Sequence, residues 1–270
     1  MNNHMDLYLN LLKNTLMGLV NPSPEWEDVV PYNPLKRWLV KTFLPADVHL
    51  VRFKEFNAKA RLEGKDWPQS AHTMIGMKRL DNIQYCVEQV LANLIPGDLI
   101  ETGVWKGGAC ILMRAVLKAN NITDRIVWVA DSFEGLPPPN ELAYPADKGD
   151  KHHIHKALAI GIDEVQSNFR AYGLLDEQVR FLKGWFRDTL PAAPIQQLAV
   201  LRLDGDMYES TMDAMVHLYP KVSVGGYVIV DDWGILPGCQ KAIKDYRDKH
   251  HINSPIESID HSGVYWQKSA

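Results

Sequence analysis

The sequence predicts a doubly wound α/β fold built on a mostly parallel sheet, and three observations carry that prediction. Beyond Gly97, short apolar runs alternate with helical stretches, the rhythm of βαβ units with right-handed crossovers and helices on both faces. Two of those runs, 201–203 and 227–230, stop abruptly in carboxylates, Asp204-Gly205-Asp206 and Asp231-Asp232; in open α/β sheets, ligands gather outside the carboxyl ends of such strands. The third observation is size: 270 residues at 46% hydrophobic content support one large core with additions at its ends.

In chain order, Leu9, Leu12, Leu16 and Leu19 fall at helical spacing, so 6–20 reads as an amphipathic helix whose apolar face must pack on the core or on a second subunit. Pro22, Pro24, Pro31, Pro34 and Pro45 then permit only short helical pieces, with Trp26, Tyr32 and Trp38 as large anchors. A charged, mobile-looking link over 54–70 completes an N-terminal helical cap or lid, residues 1–70, ahead of the main domain, 71–270. A helix over 73–95 is stopped by Pro96-Gly97 and feeds the first sheet strand. Strands are expected at 98–102, 126–130, 178–183, 198–203 and 226–230, with helices at 108–120, near 156–172, near 187–193, and at 209–221 and 238–249. The last stretch, 256–267, reads as a hairpin around Asp260-His261-Ser262-Gly263 that adds an antiparallel edge.

Composition narrows the function. A net charge of -4 with scattered Lys and Arg gives no basic stripe for a nucleic acid and no polybasic membrane tract, so the partner is a small molecule. Cys86, Cys110 and Cys239 lie far apart and match no zinc spacing, which fits a reduced, cytoplasmic protein. The apolar stretch 7–20 is broken by Asn10, Lys13 and Asn14, and reads as neither a signal peptide nor a membrane span.

Four aspartates aimed at one crevice repel one another, so a positive group belongs among them, and all-oxygen ligands suit a hard cation such as magnesium. The competing reading is a pair of Asp N-caps opening the following helices. The first strand runs into Glu101-Thr102-Gly103-Val104-Trp105-Lys106-Gly107-Gly108, where glycines let a ligand approach the backbone. Glu101 in that turn would repel a pyrophosphate and attract an ammonium group, which favours S-adenosylmethionine over a dinucleotide. Asp131-Ser132 closes the second strand where a carboxylate accepts hydrogen bonds from ribose hydroxyls, and Gly184-Trp185 after the third offers backbone and an aromatic face to adenine. His152, His153 and His155 sit in a polar stretch that reads as a solvated loop or lid rather than a metal cluster. His72 either touches a ligand or packs at a helix entry, and Tyr208, Trp233 and the loop 144–155 are candidates to close over the crevice.

These phrases, together with Thr73-Met74-Ile75-Gly76, Arg79-Leu80-Asp81-Asn82, Asp131-Ser132-Phe133-Glu134-Gly135-Leu136-Pro137, Gly184-Trp185-Phe186, Leu203-Asp204-Gly205-Asp206-Met207-Tyr208-Glu209-Ser210-Thr211 and Asp231-Asp232-Trp233, resemble the macrocin-type sugar O-methyltransferases of antibiotic biosynthesis. The resemblance spans most of the chain from Thr73 onward. It implies a Rossmann-like class I methyltransferase fold, S-adenosylmethionine and one magnesium ion (Mg2+), in a homodimer or higher homo-oligomer whose N-terminal helices serve as lid and contacts. By the same resemblance, Asp204, Asp231 and Asp232 are metal ligands, Asp206 is the general base, and Thr73, Met74 and Asp204 join Glu101, Gly103, Asp131, Ser132, Gly184 and Trp185 at the cofactor. The acceptor it implies is a hydroxyl of a deoxysugar or related vicinal diol. Three other readings stay open at this point: a catechol-type O-methyltransferase, a metal-dependent glycosyltransferase using the Asp204-Gly205-Asp206 stretch, and a non-catalytic adenosine-ligand binder.

Overall fold

The computed structural model describes residues 3–22, 25–29, 33–43, 45 and 50–269; Pro24, Pro31 and Tyr32 lie outside them. Helix α1 (Asn3–Leu16) turns its Leu9, Leu12 and Leu16 into the core against a later helix, so the core rather than a second subunit covers its apolar stripe. Strand β1 (Glu25–Asp28), helix α2 (Pro34–Phe43), strand β2 (Val51–Lys54) and helix α3 (Ala58–Glu63) follow.

This region is more regular than the prolines predict. Pro34 occupies the first helical position of α2, where its missing N–H costs nothing, and Asn33 Oδ1 accepts from the Leu35 amide at 2.8 Å. β1 and β2 pair antiparallel with Trp26 opposite Phe53. The link expected to be mobile is pinned by Arg61, whose buried guanidinium bonds Glu25 Oε1 at 2.7 Å, Asp66 Oδ2 at 2.9 Å and the Met17 carbonyl at 3.3 Å.

Helix α4 (Met77–Ala92) starts later than the expected 73 because residues 72 and 73, in a non-helical bend, pack against the start of the next helix, α5 (Gly108–Ala119). A Cβ on Gly108 would stand 2.4 Å from the His72 carbonyl oxygen. The remaining elements are β3 (Asp98–Thr102), β4 (Val127–Asp131), α6 (Ile162–Ala171), β5 (Val179–Lys183), α7 (Phe186–Thr189), β6 (Leu198–Leu203), α8 (Tyr208–Leu218), β7 (Val222–Val230), α9 (Pro237–Lys249), β8 (Glu257–Ser258) and β9 (Val264–Gln267). The helices expected near 156–172 and 187–193 and at 209–221 each prove shorter, with a single 3-10 turn at one end.

The large sheet has the order β5-β4-β3-β6-β7-β9-β8. Its first five strands are parallel and β9 and β8 add the antiparallel C-terminal edge. Strand parity sorts the core into two layers. Leu99, Val127, Val129, Val200, Tyr227 and Ile229 face α1, α4, α5 and α6, while Ile100, Ala130, Leu201, Leu203, Val228 and Val230 face α8 and α9. β7 begins four residues before the expected 226: Gly225, at φ +86°, and Gly226 lie inside a strand whose register with β6 shifts there, rather than in a turn.

Candidate functional site

The carboxyl ends of β3, β4, β5, β6 and β7 surround a cavity of about 480 Å³. Thr73, Met74, Glu101, Gly103, Asp131, Ser132, Gly184, Trp185, Asp204, Asp206, Asp231 and Asp232 all line it, so the residues marked in the sequence share one space.

At one end the turn after β3 packs against the end of β6. Gly103 holds φ +86°, and a Cβ there would stand 1.7 Å from the Asp204 carbonyl oxygen, so only glycine fits. Asp131 ties this turn to its neighbour: Oδ2 accepts from the Val104 amide at 2.7 Å and Oδ1 from the Phe133 amide at 2.7 Å. Burial nevertheless raises its pKa. Ser132 Oγ donates to the Gly135 carbonyl at 2.6 Å, and the Gly184 amide donates to the Asp131 carbonyl at 2.9 Å. Three strand-end turns are thereby laced together around the cavity.

At the other end Arg202, buried in β6, is the positive group among the acids. Its Nη1 bonds Glu101 Oε1 and, at 2.7 Å, Asp204 Oδ2; its Nη2 bonds Asp231 Oδ1. Arg79, from α4, bonds Asp231 Oδ2 and, at 3.0 Å, Asp260 Oδ2. The Glu101 carboxylate therefore already holds a cation, and its other oxygen accepts from Cys110 Sγ at 2.8 Å. Burial still lifts its pKa to about 7 against the pull of Arg202. The same balance lifts Asp204 to about 6, where burial and Asp231 outweigh Arg202. Asp206 and Asp232 are raised well above the carboxylate range by burial and by neighbouring aspartates. Two guanidiniums thus leave the cluster short of positive charge.

Asp204, Asp231 and Asp232 each present one carboxylate oxygen within 4.8 Å of the others. Asp232 Oδ2 is buried without a hydrogen-bond partner, a lone acceptor that a cation would satisfy. The donor set therefore fits a hard divalent ion. Asp206 stands outside this triplet: it adopts φ +61°, and its neighbour Met207 donates to the Gly205 carbonyl at 2.6 Å.

The sequence pattern assigns no role to Arg202, Arg79, Asp260 or Asp147. Arg202 carries a signal, a charge inside an otherwise apolar strand. Asp147 carries none: buried in the loop 132–161, it accepts from the Tyr208 amide at 2.6 Å and the Glu209 amide at 3.0 Å, sixty residues away. Of the loop histidines, His152 lines the cavity with its Nδ1 on Asp150 Oδ2 at 2.7 Å, and His155 packs edge-on to Trp67. His72 Nδ1 meets the Tyr172 hydroxyl at 2.7 Å, a packed position at the entry to the pocket wall. The Tyr208 hydroxyl donates to Asp245 Oδ2 at 3.0 Å. No helix among the described residues is long and apolar enough to cross a membrane.

The profile of the macrocin-O-methyltransferase (TylF) family matches residues 5–268. The chain is 51% identical over 269 residues to demethyldecarbamoylnovobiocin O-methyltransferase of Streptomyces niveus, covering 99% of this chain and 95% of that one. It is 46% identical over 269 residues to mycinamicin III 3''-O-methyltransferase of Micromonospora griseorubida, covering 98% of each. The solved structure of the O-methyltransferase NovP superposes with a TM-score of 0.85 at 50% identity, over 98% of this chain and 100% of that one.

Proposed function

The chain belongs to the macrocin-O-methyltransferase family and is an S-adenosylmethionine-dependent O-methyltransferase, and we propose that it methylates a hydroxyl of a deoxysugar carried on a natural product, with magnesium held by Asp204, Asp231 and Asp232. The observation that carries the proposal is the triplet of strand-end carboxylates, with Asp232 Oδ2 buried without a partner, beside a cavity walled by the glycine turn of β3. The family assignment sets aside the glycosyltransferase and the non-catalytic binder.

S-adenosylmethionine supplies the methyl group on a cationic sulfur, and magnesium, when bound, supplies the charge that lowers the pKa of a sugar hydroxyl. The chain's own residues do the rest. Asp131, held by the Val104 and Phe133 amides at the edge of the cavity, would offer a carboxylate oxygen to a ribose hydroxyl, and Gly184 and Trp185 would lie against the adenine. Arg202 fixes Glu101 and Asp204 in one arrangement, so the cofactor end and the metal end keep a constant separation. Asp206, on the cavity beside the triplet but outside it, takes the hydroxyl proton on a carboxylate oxygen. Within the N-terminal region, the segment 64–67 serves as cap: Gly64, Lys65, Asp66 and Trp67 line the cavity and supply acceptor contacts, while α1 belongs to the core. The exposed Leu35, Trp38, Phe43 and Phe53 support contacts between copies in a homodimer or larger assembly.

The test is methyl transfer from labelled S-adenosylmethionine to demethyldecarbamoylnovobiocin, mycinamicin III and catechol, with magnesium and with chelator. Transfer to a glycoside, lost with chelator and restored by magnesium, is expected. Transfer to catechol alone would turn the reading to the aromatic-diol class. In Asp206→Asn, S-adenosylhomocysteine and magnesium should bind as in the wild type while turnover falls ~10²–10⁴-fold. Near-normal turnover in that variant would remove Asp206 as the base.

A further inference from the structure

Asp206 holds a left-handed backbone, which costs a non-glycine residue free energy that its surroundings must offset. The surroundings on its C-terminal side are the first turn of α8, which begins at Tyr208 directly after Met207. Helix starts leave their first amides without intrahelical partners, and a short polar residue at the N-cap usually accepts from them. Here the N-cap is Met207, which has no side chain for that purpose.

Asp147 fills the gap from another part of the chain. Oδ1 takes the Tyr208 amide and Oδ2 the Glu209 amide, at 2.6 and 3.0 Å. Both carboxylate oxygens are committed to the turn that follows Asp206, and the helix dipole adds to the attraction. The carboxylate is also wedged against α9, because a Cβ on Gly238 would come within 2.8 Å of Asp147 Oδ1. Tyr144 packs its ring on Tyr208 at 6.0 Å between centroids, and Asp150 fixes His152 at the cavity wall. The loop is thus docked at the point where the helices after β6 and β7 both begin, immediately behind the two acidic strand ends.

We infer that Asp147 is a positioning residue for methyl transfer: by capping α8 from the loop 132–161 it holds the Asp206 backbone in the conformation that keeps its carboxylate on the cavity. The inference rests on Asp206 as the base. It makes the loop that roofs the cavity and the group that accepts the proton one mechanical unit, so that displacement of the roof releases the base.

A double-mutant cycle tests it, using whichever of the two glycosides above is turned over faster. Asp147→Ala should lower kcat about tenfold or more, with the affinity for S-adenosylhomocysteine and the KM for S-adenosylmethionine within about twofold of the wild type. Asp147→Asn, which keeps an acceptor for one amide, should recover most of that loss. In an Asp206→Asn background the same Asp147→Ala change should cost less than about twofold, because the base it positions is gone. An equal cost in both backgrounds, or a loss that appears in cofactor affinity rather than in kcat, makes Asp147 a merely structural cap and overturns the inference while leaving Asp206 in place. Near-normal turnover of Asp206→Asn alone overturns the base assignment, and the inference with it. Where Asp147→Ala does not fold, Asp147→Asn carries the same cycle, with about a threefold loss expected in the wild-type background and none in the other.

Discussion

Gly103→Ala is the sharpest perturbation of this site, because one added methyl touches both of its ends. The new Cβ would lie 1.7 Å from the Asp204 carbonyl oxygen, whereas ordinary contacts begin at 3.4 Å. The turn after β3 and the end of β6 must therefore separate by about 1.7 Å, and φ +86° adds strain of about 1–2 kcal/mol that alanine pays and glycine does not. Strain alone lowers Tm by roughly 2–4 °C in a protein of this size. A displacement near 1 Å costs on the order of 10²-fold in rate when it separates reacting groups. We expect kcat to fall at least about 10²-fold and both S-adenosylhomocysteine and magnesium to bind more weakly. Gly173→Ala is the control, since Gly173 has φ +64° but a Cβ added there would meet no atom within 4 Å, so it bears the dihedral strain without the collision. Scanning calorimetry and isothermal titration of both variants read the difference. If Gly103→Ala loses no more Tm than Gly173→Ala and keeps its cofactor affinity, the two strand ends are not coupled through this contact.

Two further outcomes follow from the geometry. Asp232→Asn removes charge from the acid whose Oδ2 has no partner, so magnesium affinity measured by calorimetry should drop about tenfold or more, and excess magnesium should restore turnover; activity that survives exhaustive chelation would assign the triplet another purpose. Away from the site, hydrogen bonds from Arg114 hold Asp176 below the usual carboxylate range, at 2.9 Å from Nε and 2.6 Å from Nη2. Since its folded pKa is depressed, Asp176 stabilises the fold above the unfolded value near 3.9 and loses that contribution as pH falls through the folded one. Asp176→Asn should cost about 1.5–3 kcal/mol at pH 7, with the two proteins converging in acid; a gap that stays constant down to pH 2 would contradict the assignment.

The parallel sheet was readable because each strand is a short apolar run closed by a glycine turn or by carboxylates, and burial on both faces writes that pattern directly into the residues. The cavity-lining acids were readable for the same reason, since a strand end is where such a run stops. The hairpin of β1 and β2 was not: Glu25–Asp28 and Val51–Lys54 are four residues each, and their pairing crosses more than twenty residues of intervening chain. The late start of α4 came from the close approach of His72 to Gly108, a tertiary contact that overrides the helical spacing of 73–76. Crowded acids in the sequence point to a metal ion as their positive charge, whereas Arg202 and Arg79 provide part of it. Partners such as Asp147 leave no local pattern, because a cap drawn from sixty residues away obeys no sequence spacing.

The seating of α1 bears on how acceptor preference can be engineered by recombination. The Leu16 carbonyl accepts from the His72 amide at 2.8 Å, and Lys13 Nζ bonds Asp81 Oδ1 at 2.5 Å, so α1 is fastened to the wall beside Thr73, while Arg61 of the following segment reaches the Met17 carbonyl just past its end. Arg61, Glu25 and Asp66, by contrast, form an ion-paired set contained within residues 25–66. A chimera that exchanges residues 19–70 between relatives would transplant that set whole and leave α1 native, with its side chains still filling the layer beneath the sheet. A crossover at residue 70 alone would import a foreign α1 as well, and every mismatch in its leucines would be felt at the cofactor wall.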